Sequence, residues 1–307
     1  MGGMGSTAGL AVIILNWNAA DDTIRCVREI EAWEHLRPTI WVVDNGSAEE
    51  SIAAIAQSCP NVRLIRNGAN LGFAGGTNRG IVAALAVDEV PILLLNNDAS
   101  VAEPDIARLL DTLHRDKRIG FVGPLLFDMH DTEHLLSAGG RNPVLHHHSH
   151  ILTLSPGPPV RTVAYVPGTV VVVRPEVFRQ VGLLDENYFF SMEVADLCRR
   201  AAQIGYRSVV DTRARAFHSL ERSSDLRGTL HVYYIIRNRF LFIRKFYPRS
   251  MWLLSAVWSL YSLALWLKVR AAGRPTTARA IWLGLWDGLH GRFGGQNERV
   301  FSYVGGK

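Results

Sequence analysis

Several short polar clusters sit directly after apolar runs, and their residue types point to phosphate, sugar or metal chemistry. Asn96-Asn97-Asp98 follows the apolar residues 92–95. A carboxylate there, with a second oxygen donor two residues earlier, suits a hard divalent cation that grips a diphosphate and neutralises charge on a departing phosphate oxygen. The other use of Asp98 or Ser100 is to cap a helix near Pro104. Asp44 holds the equivalent place after residues 40–43, ahead of Asn45-Gly46-Ser47. A carboxylate at that point accepts from a base N–H or a ribose hydroxyl, and uracil, thymine and guanine would all satisfy it. Asn70-Leu71-Gly72-Phe73-Ala74-Gly75-Gly76-Thr77-Asn78 precedes a helical stretch, where glycine permits close backbone approach and a helix start offers N–H groups to anions. It is neither a P-loop nor a dinucleotide fingerprint.

A second acidic group lies further on, in Asp185–Leu197 numbering the run 185–197. On a helix beginning near Ser191, Glu193 and Asp196 share a face, with Arg200 one turn beyond. Phe189, Phe190 and Met192 would raise the pKa of a neighbouring carboxyl, which suits a general base. The same acids also serve a helix N-terminus electrostatically, with Asp196 and Arg200 as a surface pair. His146, His147, His148 and His150 read as a solvated loop, because consecutive histidines point in different directions and share one metal poorly.

Strands and helices must position these groups. Residues 11–15, 40–43, 62–65 and 92–95 are short apolar runs, as expected of strands buried on both faces. Residues 21–35, 49–58 and 75–87 between them read as helices. Four such units predict an α/β fold with a doubly wound, mainly parallel, right-handed sheet. Ligands bind such sheets at the carboxyl ends of the strands, where Asn16-Trp17-Asn18, Asp44, Asn67 and Asp98 collect. Turn chemistry also favours Asn and Asp at those places. A less regular middle follows, with a strand over 169–174, a helix over 191–204 and a strand-like 214–217.

The 307 residues are 48% hydrophobic and 20% charged, enough for a sizeable core and unlike a disordered or fibrous chain. Three scattered cysteines (Cys26, Cys59, Cys198) argue against a disulfide framework or a zinc finger. The net charge of +5 is unevenly placed. Residues 237–307 hold 12 basic and 2 acidic side chains; the remaining residues hold 21 and 26. That basic tail contains 17 uncharged residues over 251–267, a second apolar stretch over 278–292, and Trp252, Trp258, Trp266 and Trp282. Ser255, Ser259 and Ser262 form a mildly polar stripe, and Gly284 with Gly288 allows close helix contact. Basic, tryptophan-rich apolar helices suit the surface of an anionic membrane across residues 250–292. A buried hairpin, an oligomer interface and a full span are the alternatives. Nucleic acid is not expected as a partner, since the positive charge coincides with apolar helices instead of a solvated groove. The chain therefore divides into a flexible 1–9, a catalytic domain over 10–236 (halves 10–120 and 121–236), and a helical tail over 237–307. Removing residues after about 250 is then expected to release a membrane-bound protein while sparing its nucleotide site. MGGMGSTAG has no basic residue and no long apolar run, so no export signal is expected in it.

The ordered series Asn16-Trp17-Asn18, Val43-Asp44-Asn45-Gly46-Ser47, Asn70–Asn78, Leu95-Asn96-Asn97-Asp98, residues 193–198 and Tyr234-Ile235-Ile236-Arg237-Asn238-Arg239 resembles family 2 of the inverting glycosyltransferases. The likeness covers about residues 10–292 and is greatest to the bacterial rhamnosyltransferase-like branch, which implies a GT-A fold. It implies that Asp44 and Asn18 bind the nucleotide, with Asn16, Asn45, Asn70, Gly72, Asn78, Asn96 and Asn97 also on the donor. Asn96-Asn97-Asp98 matches the DxD motif, so Asp98 would hold Mg²⁺ or Mn²⁺, and His218 would help bind metal or diphosphate. Two departures stand out. Asn96 replaces the first DxD aspartate. The acidic motif, usually Glu-Asp-x-Asp, reads Glu193-Val194-Ala195-Asp196, which leaves Glu193 as the nearest base and Asp196 in reserve.

The resemblance implies a single displacement from a dTDP- or UDP-linked sugar, with dTDP-rhamnose the best guess. The acceptor would be a glycan or lipid-linked glycan in bacterial envelope polysaccharide synthesis, at the cytoplasmic face of the inner membrane. A sugar-nucleotide nucleotidyltransferase is a rival, although residues 16–18 lack the expected basic Gly-rich loop. A catalytically inactive binding module is another, kept open by Val194.

Overall fold

The computed structural model describes residues 9–219 and 227–305. β1 (Ala11–Asn16), α1 (Ala20–Glu31), β2 (Thr39–Asp44), α2 (Glu49–Ser58), β3 (Arg63–Arg66), α3 (Gly72–Val87) and β4 (Ile92–Asn96) form the regular first half. These four strands are parallel, in the order β3-β2-β1-β4. Alternate side chains of each strand enter different cores. Ile13, Val43 and Leu94 pack toward α3, whereas Val12, Ile14, Val42 and Leu93 pack toward α1 and a later helix, α4 (Glu103–Arg115). Burial on both faces is why these runs are continuously apolar.

The register aligns the polar strand ends. Asn16 is opposite Asp44, and Leu15 is opposite Asn96. The order of the sheet reverses at β1, so the carboxyl ends of β1 and β4 flank the crevice where such sheets take ligands.

The second half departs from a parallel sheet. β9 (Val170–Val173) runs antiparallel to both β4 and β6 (Ile119–Asp128). β10 (Arg207–His218) runs parallel to β6, and β5 (Ala99–Val101) closes the edge antiparallel to it. Two short strands, β7 (Leu135–Ser137) and β8 (Val160–Val163), pair with β6 and β10. α5 (Pro175–Val181) and α6 (Glu193–Gln203) cover the sheet. All three cysteines are free and buried.

Four helices complete the chain: α7 (Val232–Phe246), α8 (Met251–Ala271), α9 (Pro275–His290) and α10 (Asn297–Gly305). The expected small-residue contact is made between α9 and α7. A Cβ on Gly284 would lie 2.7 Å from the Tyr233 carbonyl oxygen, and one on Gly288 would lie 2.5 Å from the Phe240 ring. The boundary expected at 236/237 falls inside α7, and the one at 120/121 falls inside β6. Ile236, Phe240 and Phe242 of α7 belong to the same core as the sheet, so the helices continue the catalytic domain.

Helix α8 is the exception. Within it only Trp258 and Ser262 are buried, while Trp252, Leu253, Val257, Leu260 and Leu267 are exposed. Residues 248–271 are long and apolar enough to cross a membrane, and just 11% of the apolar window is buried.

Candidate active site

A cavity of about 620 Å³ opens at the carboxyl ends of β1, β2 and β4. One wall is polar: Asn18, Asn45, Asn70, Gly72, Asn96, Asn97, Asp98 and His218 reach it, with Trp17 and Phe73. The facing wall is largely aromatic and comes from Phe189, Phe190, Leu230, His231, Tyr234 and Asn297.

The polar wall is fixed by hydrogen bonds among strand ends. Asp44 is fully buried and accepts from Asn16 Nδ2 at 2.8 Å and from the backbone N–H groups of Gly46 and Ser47 at 3.1 and 3.0 Å. Asn16 Oδ1 in turn accepts from Thr23 Oγ1 and the Ala19 N–H. Asn18 holds a left-handed backbone (φ 50°), a conformation that Asn tolerates, and its Oδ1 accepts from the Ala48 N–H at 2.9 Å. Asn45 Nδ2 donates to Asn70 Oδ1 and to the Gly72 carbonyl, both at 3.0 Å. Gly72 is required: its φ is +74°, and a Cβ would meet the Phe189 carbonyl oxygen at 2.3 Å.

At the edge, antiparallel pairing sets His218 opposite Ala99 and so beside Asp98. His218 Nε2 lies 3.1 Å from Asp98 Oδ1, and this buried oxygen accepts no hydrogen bond. An orphaned carboxylate oxygen converging with an imidazole nitrogen on a cavity wall suits a divalent cation such as Mg²⁺ or Mn²⁺. Among the described residues no three His, Cys, Asp or Glu side chains converge, so a cation there would draw its other ligands from phosphate and water.

The aromatic wall depends on an unusual turn. Phe189, Ser191 and Met192 all have positive φ (61°, 72° and 75°), each costing roughly 1–3 kcal/mol unless the surroundings impose it. The Arg237-Asn238 pair of α7 imposes it. Asn238 Nδ2 donates to the carbonyls of Tyr188, Phe190 and Ser191, and Arg237 Nη2 donates to those of Asn187 and Tyr188. Arg237 Nη1 also donates to the Gly294 carbonyl, which ties the final segment to this turn. Phe189 stacks on Tyr234, whose hydroxyl donates to Asn297 Oδ1 at 2.7 Å.

Five of the residues expected at the site lie outside the cavity wall. Asp44 and Asn16 are spent on ordering the polar loops. Asn78 bridges α3 to the Leu184 backbone and the Glu186 carboxylate. Asp196 is fully buried against Arg200 at 2.6 Å, Lys245 at 2.5 Å and the Tyr188 hydroxyl at 3.1 Å, an arrangement that holds α6 to α7. Glu193 is different. Burial, reinforced by the charge of Asp196, pushes its pKa up to about 7, and its buried Oε2 has no hydrogen-bond partner. Val194, in the place of the usual aspartate, packs where a Cβ on Gly168 would sit, near Phe73.

Trp17, Phe73, His231, Tyr234 and Asn297 line the cavity without an individual role expected from sequence. Tyr234 and the Arg237-Asn238 clamp sit in a recognisable motif, so that motif was their signal. Asn297 had none, because it arrives from the last helix.

A mixed sheet with its polar strand ends facing an acid–imidazole pair defines a GT-A glycosyltransferase fold. Its solved neighbours include GalNAc-T7 with UDP, GalNAc and Mn²⁺ (TM-score 0.57, 17% identity, covering 70% of this chain and 44% of that one). Another is a Pyrobaculum calidifontis mannosyltransferase with GDP-Man and Mn²⁺ (TM-score 0.56, 15% identity, 92% and 75% covered). Residues 11–151 match the model of Glycosyl transferase family 2. The N-acetylglucosaminyl-diphospho-decaprenol L-rhamnosyltransferase of Mycobacterium tuberculosis is 30% identical over 302 residues, spanning 89% of this chain and 97% of its own. A low-salt glycan biosynthesis hexosyltransferase of Haloferax volcanii is 27% identical over 252 residues, with 79% and 78% covered. The chain belongs to glycosyltransferase family 2 and is a glycosyltransferase.

Proposed function

We propose that the protein transfers a sugar, with inversion, from a nucleoside-diphosphate donor to a lipid-linked glycan acceptor, using Mg²⁺ or Mn²⁺. Rhamnose from dTDP-rhamnose is the preferred donor in this reading, which draws on the full-length similarity to the mycobacterial rhamnosyltransferase. The single observation that carries it is the unbonded Asp98 oxygen beside His218 at the polar cavity wall. Asp98 and His218 would hold the cation, which supplies positive charge to the departing diphosphate. Asn18 and the Asn45–Asn70–Gly72 set orient the nucleoside and exclude water behind it, while Asp44 and Asn16 keep that wall rigid. Stacked Phe189 and Tyr234 offer an apolar face to the sugars.

Glu193 takes the acceptor proton. It is the α6 acid without a committed oxygen, and a pKa of about 7 suits a base at neutral pH. The acceptor oxygen bonds to the anomeric carbon as the bond from that carbon to the phosphate oxygen breaks, through an oxocarbenium-like transition state. Because Glu193 lies outside the cavity wall, the reaction requires the 189–192 turn to shift when both substrates are bound. The exposed face of α8 would rest on the cytoplasmic face of a bacterial inner membrane, where a lipid-linked acceptor for envelope polysaccharide resides.

A panel of dTDP-, UDP- and GDP-sugars with Mg²⁺ or Mn²⁺ tests the reading. Metal-dependent binding of dTDP-rhamnose with release of dTDP in the presence of a lipid-linked acceptor is expected. Binding without transfer or hydrolysis would favour an inactive module, and preference for another sugar would correct the donor.

A further inference from the structure

A patch of positive charge lies where the sheet domain meets α8. Arg239, on α7, sits 3.9 Å above the centre of the Trp258 ring. Its acceptors are the Pro143 and His147 carbonyls, both at a long 3.4 Å, and among the described residues it makes no ion pair. Loss of hydration pulls its pKa down to about 10. A desolvated guanidinium without a carboxylate is an uncompensated charge, and buried charges are normally paired. His147 stands beside it, with its ring 4.3 Å from that of His148 and its Nε2 2.6 Å from the Tyr261 hydroxyl. The segment is anchored: Trp258 Nε1 donates to the Val144 carbonyl at 3.0 Å, and Asn142 Nδ2 to the Tyr247 hydroxyl at 2.6 Å.

Two further observations identify the ligand. The helix that carries Trp258 and Tyr261 turns Trp252, Leu253 and Leu260 outward, 83%, 68% and 68% exposed. An apolar face flanked by an uncompensated guanidinium and by imidazoles able to donate hydrogen bonds matches a molecule with a hydrocarbon chain ending in phosphates. Helix α7 also connects this patch to the active site. Tyr234 is on the cavity wall and Arg239 lies five residues on, about 7.5 Å along the axis and turned about 140° around it, so a ligand joining the two sites must pass around α7. An acceptor sugar with its reacting hydroxyl in the cavity and a phosphate at its other end must bridge such a gap.

We propose that Arg239 and the histidines at 146–148 form a phosphate site for the diphosphate of a lipid-linked acceptor, whose hydrocarbon lies along the outer face of α8. The inference rests on the transferase reading for the class of acceptor. It is tested by co-sedimentation with neutral phosphatidylcholine vesicles containing decaprenyl diphosphate, decaprenol or phosphatidylglycerol. The protein should prefer the diphosphate over decaprenol, and free pyrophosphate should compete. Arg239→Gln should weaken that preference roughly tenfold to a hundredfold, the range for losing a charged hydrogen bond, while Arg239→Lys retains part of it. His147→Ala/His148→Ala, at exposed positions, keeps the test available should Arg239→Gln not fold, and should also lose preference. Donor-nucleotide binding is measured in parallel and should not change. The proposal is overturned if the wild type shows no preference, if both variants keep it, or if phosphatidylglycerol binding falls equally, which would assign the patch to bilayer headgroups. Absent donor binding would instead overturn the transferase reading, whatever the vesicles show.

Discussion

The two walls of the cavity achieve their shape in different ways. The polar wall is held by strand ends in register, with Asn18, Asn45 and Asn70 bonded to neighbouring loops and Asn97 to Thr23 of α1. The aromatic wall is a strained turn held open by side chains about fifty residues away in sequence, and completed by Asn297 from the last helix. Local hydrogen bonding therefore suffices to place the polar wall, whereas the aromatic wall depends on the packing of α7, α9 and α10. The contrast predicts that single changes on the polar wall affect chemistry and leave folding intact, while changes behind the aromatic wall affect both.

Replacing Asp98 with Ala is the largest expected effect. Losing charge stabilisation worth several kcal/mol should reduce transfer by about 10⁴-fold and remove metal-dependent nucleotide binding. The change gives up the 3.1 Å contact between His218 Nε2 and Asp98 Oδ1, so the melting temperature should fall far less than the activity. Turnover near the wild-type rate would sink the metal assignment.

Glu193→Gln comes next, at roughly 10²–10³-fold on transfer with donor binding retained. Its folded pKa of about 7 lies above the ordinary 4.5. The native state thus binds this proton more tightly than the unfolded chain does. The stabilisation is complete below about pH 4.5 and is lost as the pH rises through 7. Glutamine carries no charge to bury, so the variant should melt higher than the wild type at pH 8 and show no such advantage at pH 4. The wild-type rate should rise through pH 7 and the variant should lack that limb. An active Glu193→Gln with the limb intact would remove Glu193 as the base; Asp196, tied to Arg200 and Lys245, would be a poor replacement.

Arg237→Ala sharpens the contrast between the walls. It strips donors from the Asn187, Tyr188 and Gly294 carbonyls, and should cost about 3 kcal/mol or more in urea unfolding. Asn45→Ala on the polar wall should cost about 1 kcal/mol and weaken donor binding. Equal costs would erase the distinction. The same packing removes the expectation that a cut after residue 250 spares the nucleotide site. Such a cut takes away Gly284 and Gly288 against α7 and Asn297 from the cavity.

The difference also explains what could be read from sequence. Strands β1, β2 and β4 were legible because burial on both faces makes them continuously apolar, whereas the edge strand β3 keeps only Leu64 and Ile65 between two arginines; the polar ends of β1, β2 and β4 fall in register. Asp98 and His218 meet through one antiparallel pairing at the sheet edge. Asp44 and Asn78 lie outside the cavity wall for a physical reason: a carboxylate or amide at a strand end or helix face satisfies neighbouring loops as readily as a ligand. The positive φ values at 189–192 leave no signature in a stretch without glycine, since the conformation is imposed by Asn238 and Arg237 from afar. At 236/237 the net charge changes while the packing does not, since the position lies inside α7 on the sheet core.

The smallest expected effect on folding concerns the one helix that neither wall needs. Trp252→Ser with Leu253→Ser and Leu260→Ser alters exposed positions only, so each change should shift stability by about 0.5 kcal/mol or less. Nucleotide binding should persist. Each of these side chains would gain roughly 1.5–3 kcal/mol on entering an apolar phase, so the triple variant should lose at least about tenfold in partitioning to phosphatidylglycerol vesicles. Trp258→Ser on the opposite side of the same helix makes the control. It removes a buried ring that holds Arg239 and the 144 carbonyl, and should destabilise the fold. If the triple variant instead shifts a dimer to a monomer while vesicle binding stays, the exposed face is covered by a second copy of the chain. If it unfolds, α8 carries packing that its exposure does not reveal, and the separation between the cavity walls and this outer helix fails.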